Sequence, residues 1–226
     1  METCNIDDLV KEVRVALDQN MDGKALSMLG DTDTLTLDEI IRSTMVDAAT
    51  AIEEGAPLEM LEGCDDAVKE GEDYIVSWGK EKKGSAIQAG SVALPSDFLR
   101  LVSFKMNDWD CAVSMPTAQE TPAYERLQDQ YSGIGATPRH PAIAIDVPNN
   151  VLEFYCSAKT AKVASFKYVQ KPVAKEGKIT ICPKLRRAIV YANAAMAAAV
   201  FSSVEQMQVM MSLAYRHAHI QPSEKQ

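Results

Sequence analysis

Aromatic residues are scarce, 6% of a chain of 226, and basic residues are outnumbered. The 23 Lys and Arg face 32 Asp and Glu, a net charge of -9 at neutral pH. A general nucleic-acid binder needs a basic face to displace counterions from phosphates, and this balance argues against one. Histidine is rare at three, and the five cysteines (Cys4, Cys64, Cys111, Cys156, Cys182) contain no CxxC pair. Odd in number and widely spread, they are read as neither a disulfide framework nor a zinc site, and they suggest folding in a reducing compartment. Long apolar runs are missing too. The longest, Ala188 to Phe201, has 14 residues and includes Asn193, whereas a membrane span needs about 20. Met1 to Val10 carries Glu2, Asp7 and Asp8, with no basic n-region or apolar h-region, and is not read as a signal peptide. The expectation is a soluble protein that folds inside a cell and has no membrane partner.

What is present suffices for a core. Hydrophobic residues make up 46% and charged residues 24%, both ordinary for a globular protein. A chain this long buries roughly 70% of the surface of its unfolded form, so it needs no metal or disulfide staple. Three zones differ in pattern. In the first, Ile6, Val10, Val13 and Leu17 share one helical face. A loop over 20–33 then leads to a second helix, opened by Thr36 and Glu39 in capping-box spacing. Its apolar stripe is Leu37, Ile41, Met45, Ala48 and Ile52, and Gly55 with Pro57 stops it.

The middle zone, 61–182, breaks into short runs bounded by turn residues. Strands are expected near 73–78, 86–93, 99–106, 110–115, 142–146, 151–155 and 162–169, with a helical turn at 122–131. The strongest hairpin signal spans 143–155, where Pro148, Asn149 and Asn150 favour a tight reversal. The last zone is helical again: Pro183 suits a first turn, and Leu185, Ile189, Ala192, Met196 and Ala199 follow at helical spacing. Ser202 and Ser203 either break this helix or lie within one longer helix that carries Val204, Met207, Met211, Ala214 and Ala218. The tail over 221–226 is polar and read as free. The fold class is therefore α+β. A helical bundle built from the N- and C-terminal helices (1–61 and 183–226) is expected to carry an inserted antiparallel β domain, sandwich- or barrel-like, over 62–182.

Catalytic patterns are missing. There is no Walker-type phosphate loop, no GxGxxG after a strand, no GxSxG elbow and no HExxH helix. Gly133-Ile134-Gly135 is a lone GxG with no helix start behind it to hold a phosphate. His217 and His219, two apart on a helix, point to different faces and are read as helix-terminal residues near the dipole. Cys156 with His140 is conceivable as a nucleophile pair, but Cys156 follows Phe154 and Tyr155 in an apolar strand and reads as a buried, inert thiol. The acidic groups Glu53-Glu54, Asp65-Asp66 and Glu70/Glu72/Asp73 lack the alternating pattern of a calcium loop and read as solvated faces. Met207, Met210 and Met211 read as core, with an adaptable partner surface as the alternative. No cofactor, metal ligand or catalytic residue is assigned, and no enzyme is expected.

One stretch is more informative: Val92-Ala-Leu-Pro-Ser-Asp-Phe-Leu-Arg-Leu-Val-Ser-Phe-Lys-Met-Asn-Asp-Trp109. Pro95 keeps Leu94 extended, Ser96 or Asp97 can turn the chain by bonding its own backbone, and Phe98 anchors the next strand. The step Leu94-Pro95-x-Asp97-Phe98, a strand, and then Trp109 in a turn resemble the β-domain signature of phage head-to-tail adaptor proteins of the tail-tubular-protein-A type. Leu152 to Tyr155 and Ala164 to Val169 resemble that domain's paired closing strands, and the helix–β–helix layout is similar. Departures are a longer acidic link at 62–73 and a short tail after the last helix.

The resemblance implies a non-enzymatic ring, dodecameric in that family, below the portal of a tailed phage, joining the DNA-filled head to the tail. The partners it implies are the portal protein, neighbouring copies, tail or further neck-ring proteins, and genomic DNA passing without sequence-specific binding. An acidic channel wall would let DNA slide without sticking. Copies carrying -9 each repel one another, so ring formation is expected to depend strongly on ionic strength. Portal or neighbour contacts are expected at Met207, Met210, Met211 and His217, His219, Ile220. The next tail component is expected at Asn107, Asp108, Trp109 and Arg139. Alternatives are a second neck ring or nozzle subunit and, more distantly, a tail-associated cell-wall hydrolase, for which no spaced carboxylate pair is found.

Overall fold

In a computed structural model of the chain, the residues described are 2–20, 37–61, 68–70, 74–79, 87–118, 121–122, 136–200 and 204–221. They are mixed helix and strand, an α+β protein. The chain divides into two units: residues 68–170, continuous in sequence, and a second unit made of 1–67 together with 171–226. The expected boundary at 182 thus falls at 170, for a hydrogen-bonding reason. Strand β1 (Glu2–Asn5) pairs antiparallel with β10 (Lys178–Ile181), which pairs with β9 (Ala174–Lys175), so this stretch belongs to the unit that contains the chain's start. Neither β1 nor this hairpin was expected. Glu176 and Gly177, at φ 51° and 74°, form its two-residue turn, a backbone that glycine adopts readily and glutamate does not.

In the helical unit, α1 (Ile6–Asn20) opens where the Asn5 side chain accepts the Asp7 amide at 3.0 Å. Asp7 and Asp8 then complement the positive end of the dipole. Leu9, Val10, Val13, Ala16 and Leu17 are buried, the face expected from periodicity widened by one flank. Helix α2 (Leu37–Gly55) buries the expected Leu37, Ile41, Met45, Ala48 and Ile52, and adds Ile40, Ala49 and Glu53. The capping-box partner Thr36 lies outside the described residues, as do the loop over 21–33, most of the 122–131 segment, the 133–135 GxG, Ser202 and Ser203, and the tail from 222. A single turn, α3 (Leu58–Leu61), follows.

After a 3-10 turn at Pro183–Leu185 comes α4 (Arg186–Val200), then α5 (Val204–Ala218). Helix α4 packs against α1, α2 and α5. Six of its alanines are buried, and their small side chains let three neighbours approach one helix. This widens the expected single stripe to most of the circumference, while Ala199 at its end is exposed. Asn193 sits inside this contact. Its amide donates to Ile41 O at 3.0 Å and to Thr44 Oγ1 at 3.1 Å, fixing α4 against α2.

The described strands of the β unit form two sheets. One orders β2 (Val68–Glu70), β8 (Val163–Gln170) and β5 (Phe98–Met106); the other orders β3 (Val76–Trp78), β4 (Ile87–Ala93), β7 (Val151–Ala158) and β6 (Ala142–Asp146). All the strand pairs are antiparallel, and the described strands do not close into a barrel. Side chains from both sheets share one core. Phe104 of β5 stacks on Phe154 of β7 at 5.9 Å and meets Phe166 of β8 edge-on at 5.7 Å, all three fully buried. Burying each such ring contributes about 1.5–3 kcal/mol. The expected strand at 110–115 reduces to one bridge, Val113 to Phe104, because only Val113 reaches the edge of β5. The hairpin at 143–155 forms as expected: Asn150 (φ 53°) takes the left-handed position, and Asp146 accepts the Asn149 amide at 3.1 Å.

Candidate functional site

The LPxDF step makes a corner between β4 and β5. The Phe98 amide donates to Pro95 O at 3.0 Å, closing a turn, and the Leu94 amide donates to Asn150 O at 3.0 Å, tying the corner to the β6–β7 hairpin. Asp97 accepts from the Tyr168 hydroxyl on β8 at 3.0 Å. Burial, and then this bond to a carboxylate, push the Tyr168 phenol up from its ordinary value. Phe98 packs against Tyr168 at 5.9 Å and Phe166 at 6.3 Å, and Leu94 is buried. Leu94, Pro95, Asp97 and Phe98 therefore act together as a brace between strands.

The Asn107-Asp108-Trp109 turn at the far end of β5 is a second brace. Asn107 and Lys162 exchange bonds: the Asn107 amide donates to Lys162 O at 2.9 Å, and the Lys162 amide donates to the Asn107 side chain at 3.0 Å. Asp108 accepts from the Ser157 hydroxyl at 3.0 Å and from the Ala158 amide at 2.7 Å. Trp109, 3% exposed, packs between Phe104 and Phe154 and donates its indole N–H to Cys156 O at 3.1 Å. All these partners except Lys162 lie in or against the bulge in β7, where the register with β4 shifts opposite Gln88 and Gly90 and Cys156 takes φ 79°. Gly90 makes the bulge possible, since a Cβ there would stand 2.5 Å from Cζ of Phe154. Trp109 is thus packed inside, on the structural side of the two roles expected of it. Of the four residues expected to face a tail component, Asn107 and Arg139 are exposed, and Arg139 lies 3.9 Å from Asp110.

Cys156 is buried, and its thiol donates to Ala136 O. Burial, with Asp108 adding to it, pushes the thiol up to about 11, so it stays protonated at neutral pH and is a poor nucleophile. His140 bonds through its backbone to Thr137. Cys182 is disulfide-bonded, which runs against the expectation of no disulfide framework and of folding in a reducing compartment; Cys4, Cys111 and Cys156 are free.

In the helical unit, Met210 is fully buried while Met207 and Met211 are half-buried. Helix α5 ends in a left-handed cap: His219 (φ 57°) is followed by Ile220, whose amide reaches back to Tyr215 O at 2.9 Å. The Ile220 side chain packs over Gly55 of α2. His217 stacks on Tyr191 at 5.4 Å, and burial, with Arg187 next, lowers its pKa. Of this expected contact set, His219 is the exposed member.

Glu54 is exposed, but Glu53, expected beside it on a solvated acidic face, is fully buried on α2, on the same side of the helix as Ala49 and Ile52. One Glu53 oxygen accepts the Cys182 amide at 3.2 Å, and the other has no hydrogen-bond partner. Burial, opposed by that amide, raises the Glu53 carboxyl to about 7. A basic cluster, Lys184, Arg186 and Arg187, lines a groove against α1; counting local charge along this acidic chain would have found it. Among the described residues no group of three or more His, Cys, Asp or Glu could hold a metal ion, and no helix is long and apolar enough to cross a membrane. No protein-family model and no curated protein matches the chain.

Proposed function

We propose that the chain is a structural ring protein of a tailed-phage neck, a head-to-tail adaptor that docks below the portal and surrounds the DNA path. The observation that carries the reading is the use made of the LPxDF-to-Trp stretch. Its residues are the braces of a β unit that is continuous in sequence and interrupts a helical unit. A corner used merely as a turn would not tie Asp97 to Tyr168 or Trp109 to Cys156. In this reading the helices form a bundle, the two sheets form the layers of an inserted sandwich, and the protein performs no chemistry. The net charge of -9 supports passage of DNA past its surface without binding. The virion is its place of work. The test is to purify the chain alone and with the portal protein of the same virus, measure mass by light scattering, and image the complex. A ring on the portal supports the reading, and a monomer that ignores the portal removes it.

A further inference from the structure

Cys182 and Glu53 meet where α2, the α3 turn and the start of α4 come together. Cys182 is the last residue before the 3-10 turn and is fully buried, and its sulfur is held in a disulfide. Its amide donates to one oxygen of the fully buried Glu53 at 3.2 Å, and its sulfur lies 3.3 Å from Met60 O. The second Glu53 oxygen is buried with no hydrogen-bond partner. Among the described residues, the Cys182 amide is thus the one direct donor to this carboxyl. Glu54 on α2, Glu59 on the α3 turn, Lys178 on β10 and Lys184 on the 3-10 turn are exposed, and Arg186 is held by Glu2 and Glu12.

From this juxtaposition we infer that the disulfide and the Glu53 carboxyl form one redox latch between α2 and the start of α4, in which opening the disulfide and releasing the carboxyl proton are coupled. The physical reason is the unpartnered oxygen. A buried carboxylate needs donors at both oxygens, and the closed latch serves only one, so the carboxyl is held in its neutral form. Burial raises it, opposed by the Cys182 amide and then by the charge of the amino terminus. Reduction supplies what is missing. The Cys182 sulfur, which as a disulfide has no proton to give, becomes an S–H donor on the residue whose amide already bonds Glu53. Loss of the cross-link also lets water reach the second oxygen. Met60 O is the alternative acceptor for the new thiol, which is therefore satisfied whether Glu53 is neutral or charged. The reductant is a dithiol. It passes two electrons and two protons to the two sulfurs of the protein and closes to its own disulfide, while Glu53 releases one further proton to water. The latch turns over no substrate; it responds to whether its compartment is reducing.

Equilibration of the full chain with reduced and oxidised dithiothreitol tests this, approached from both sides and quenched with acid, the freed thiols being counted by alkylation and mass. Thiol–disulfide exchange alone takes up no net proton below the thiol range, so without coupling the equilibrium is flat between about pH 5 and pH 7. Coupling tilts it toward the reduced form as pH rises, by about tenfold or more over that range, because the open form ionises at lower pH. Glu53→Gln should flatten the profile. Glu54→Gln, at the exposed neighbour, should leave it tilted. A second measurement uses the wild type alone. The infrared band of a protonated carboxylic acid at about pH 6, where exposed carboxyls are ionised, should be present in the closed form and vanish on reduction. Both wild-type readouts stand even if Glu53→Gln fails to fold. A flat wild-type profile, or a tilt that survives Glu53→Gln, overturns the latch. Reduction that unfolds the helices, seen by circular dichroism, overturns it too, since the disulfide would then be a staple alone.

Discussion

Removing the Asp108 carboxylate tests the brace at the β7 bulge. Its oxygens accept from the Ser157 hydroxyl at 3.0 Å and the Ala158 amide at 2.7 Å, and Ser157 is fully buried. Bonds to a charged acceptor contribute about 1.5–3 kcal/mol each, and a buried donor left unpaired costs a further 1–3 kcal/mol. Partial access of water to the turn reduces this, so Asp108→Ala should destabilise the β unit by about 3 kcal/mol. Asp108→Asn keeps one acceptor and should cost about half as much. Adding Ser157→Ala should cost less in the Asp108→Ala background than in the wild type, by about 1–2 kcal/mol. Both tryptophans of the chain, Trp78 and Trp109, belong to the β unit, so tryptophan fluorescence during urea unfolding reports that unit. With a slope of roughly 1–3 kcal/mol per molar, the midpoint should fall by about 1–3 M. A loss below about 0.5 kcal/mol, or strict additivity with Ser157→Ala, would show that the turn does not hold the bulge.

Three further outcomes follow from particular contacts. Glu53, raised to about 7 by burial from an ordinary 4.5, contributes stability while protonated, and that contribution is lost as pH rises through about 7. The helical circular-dichroism signal should therefore melt more easily at about pH 8 than at pH 5, by up to about 3 kcal/mol, and Glu53→Gln should abolish the difference. Gly90→Ala forces a methyl against the Phe154 ring and should cost about 1–3 kcal/mol in the fluorescence-monitored transition. His219→Gly relieves the left-handed backbone at the end of α5 and should raise the stability of the helical unit by about 0.5–1 kcal/mol, read from its thermal melt.

Helices were legible because their signals are local. The spacing of Ile6, Val10, Val13 and Leu17, and of Leu37 through Ile52, marks faces that the structure buries apart from a half-exposed Ile6. The hairpin at 143–155 was legible for the same reason, since Pro148, Asn149 and Asn150 act within one turn. What escaped depends on distant partners. β1 is a strand only because β10 lies beside it, and 110–115 is not one because a single residue reaches β5. Asp97 and Trp109 read as turn residues and Asp108 as a surface contact, yet their partners are 71, 47 and 50 positions away. Sequence spacing cannot reveal such ties. Burial of Glu53 and the disulfide at Cys182 were hidden for the same reason, and the groove became visible only when α1 and α4 lay together.

The most direct test of the central claim is the rotational symmetry of the complex formed by this chain and the portal protein of the same virus, seen in averaged electron micrographs. The account predicts a closed ring of copies coaxial with the portal, with an open central channel. Portal particles that remain bare, with the chain still monomeric beside them, would contradict it.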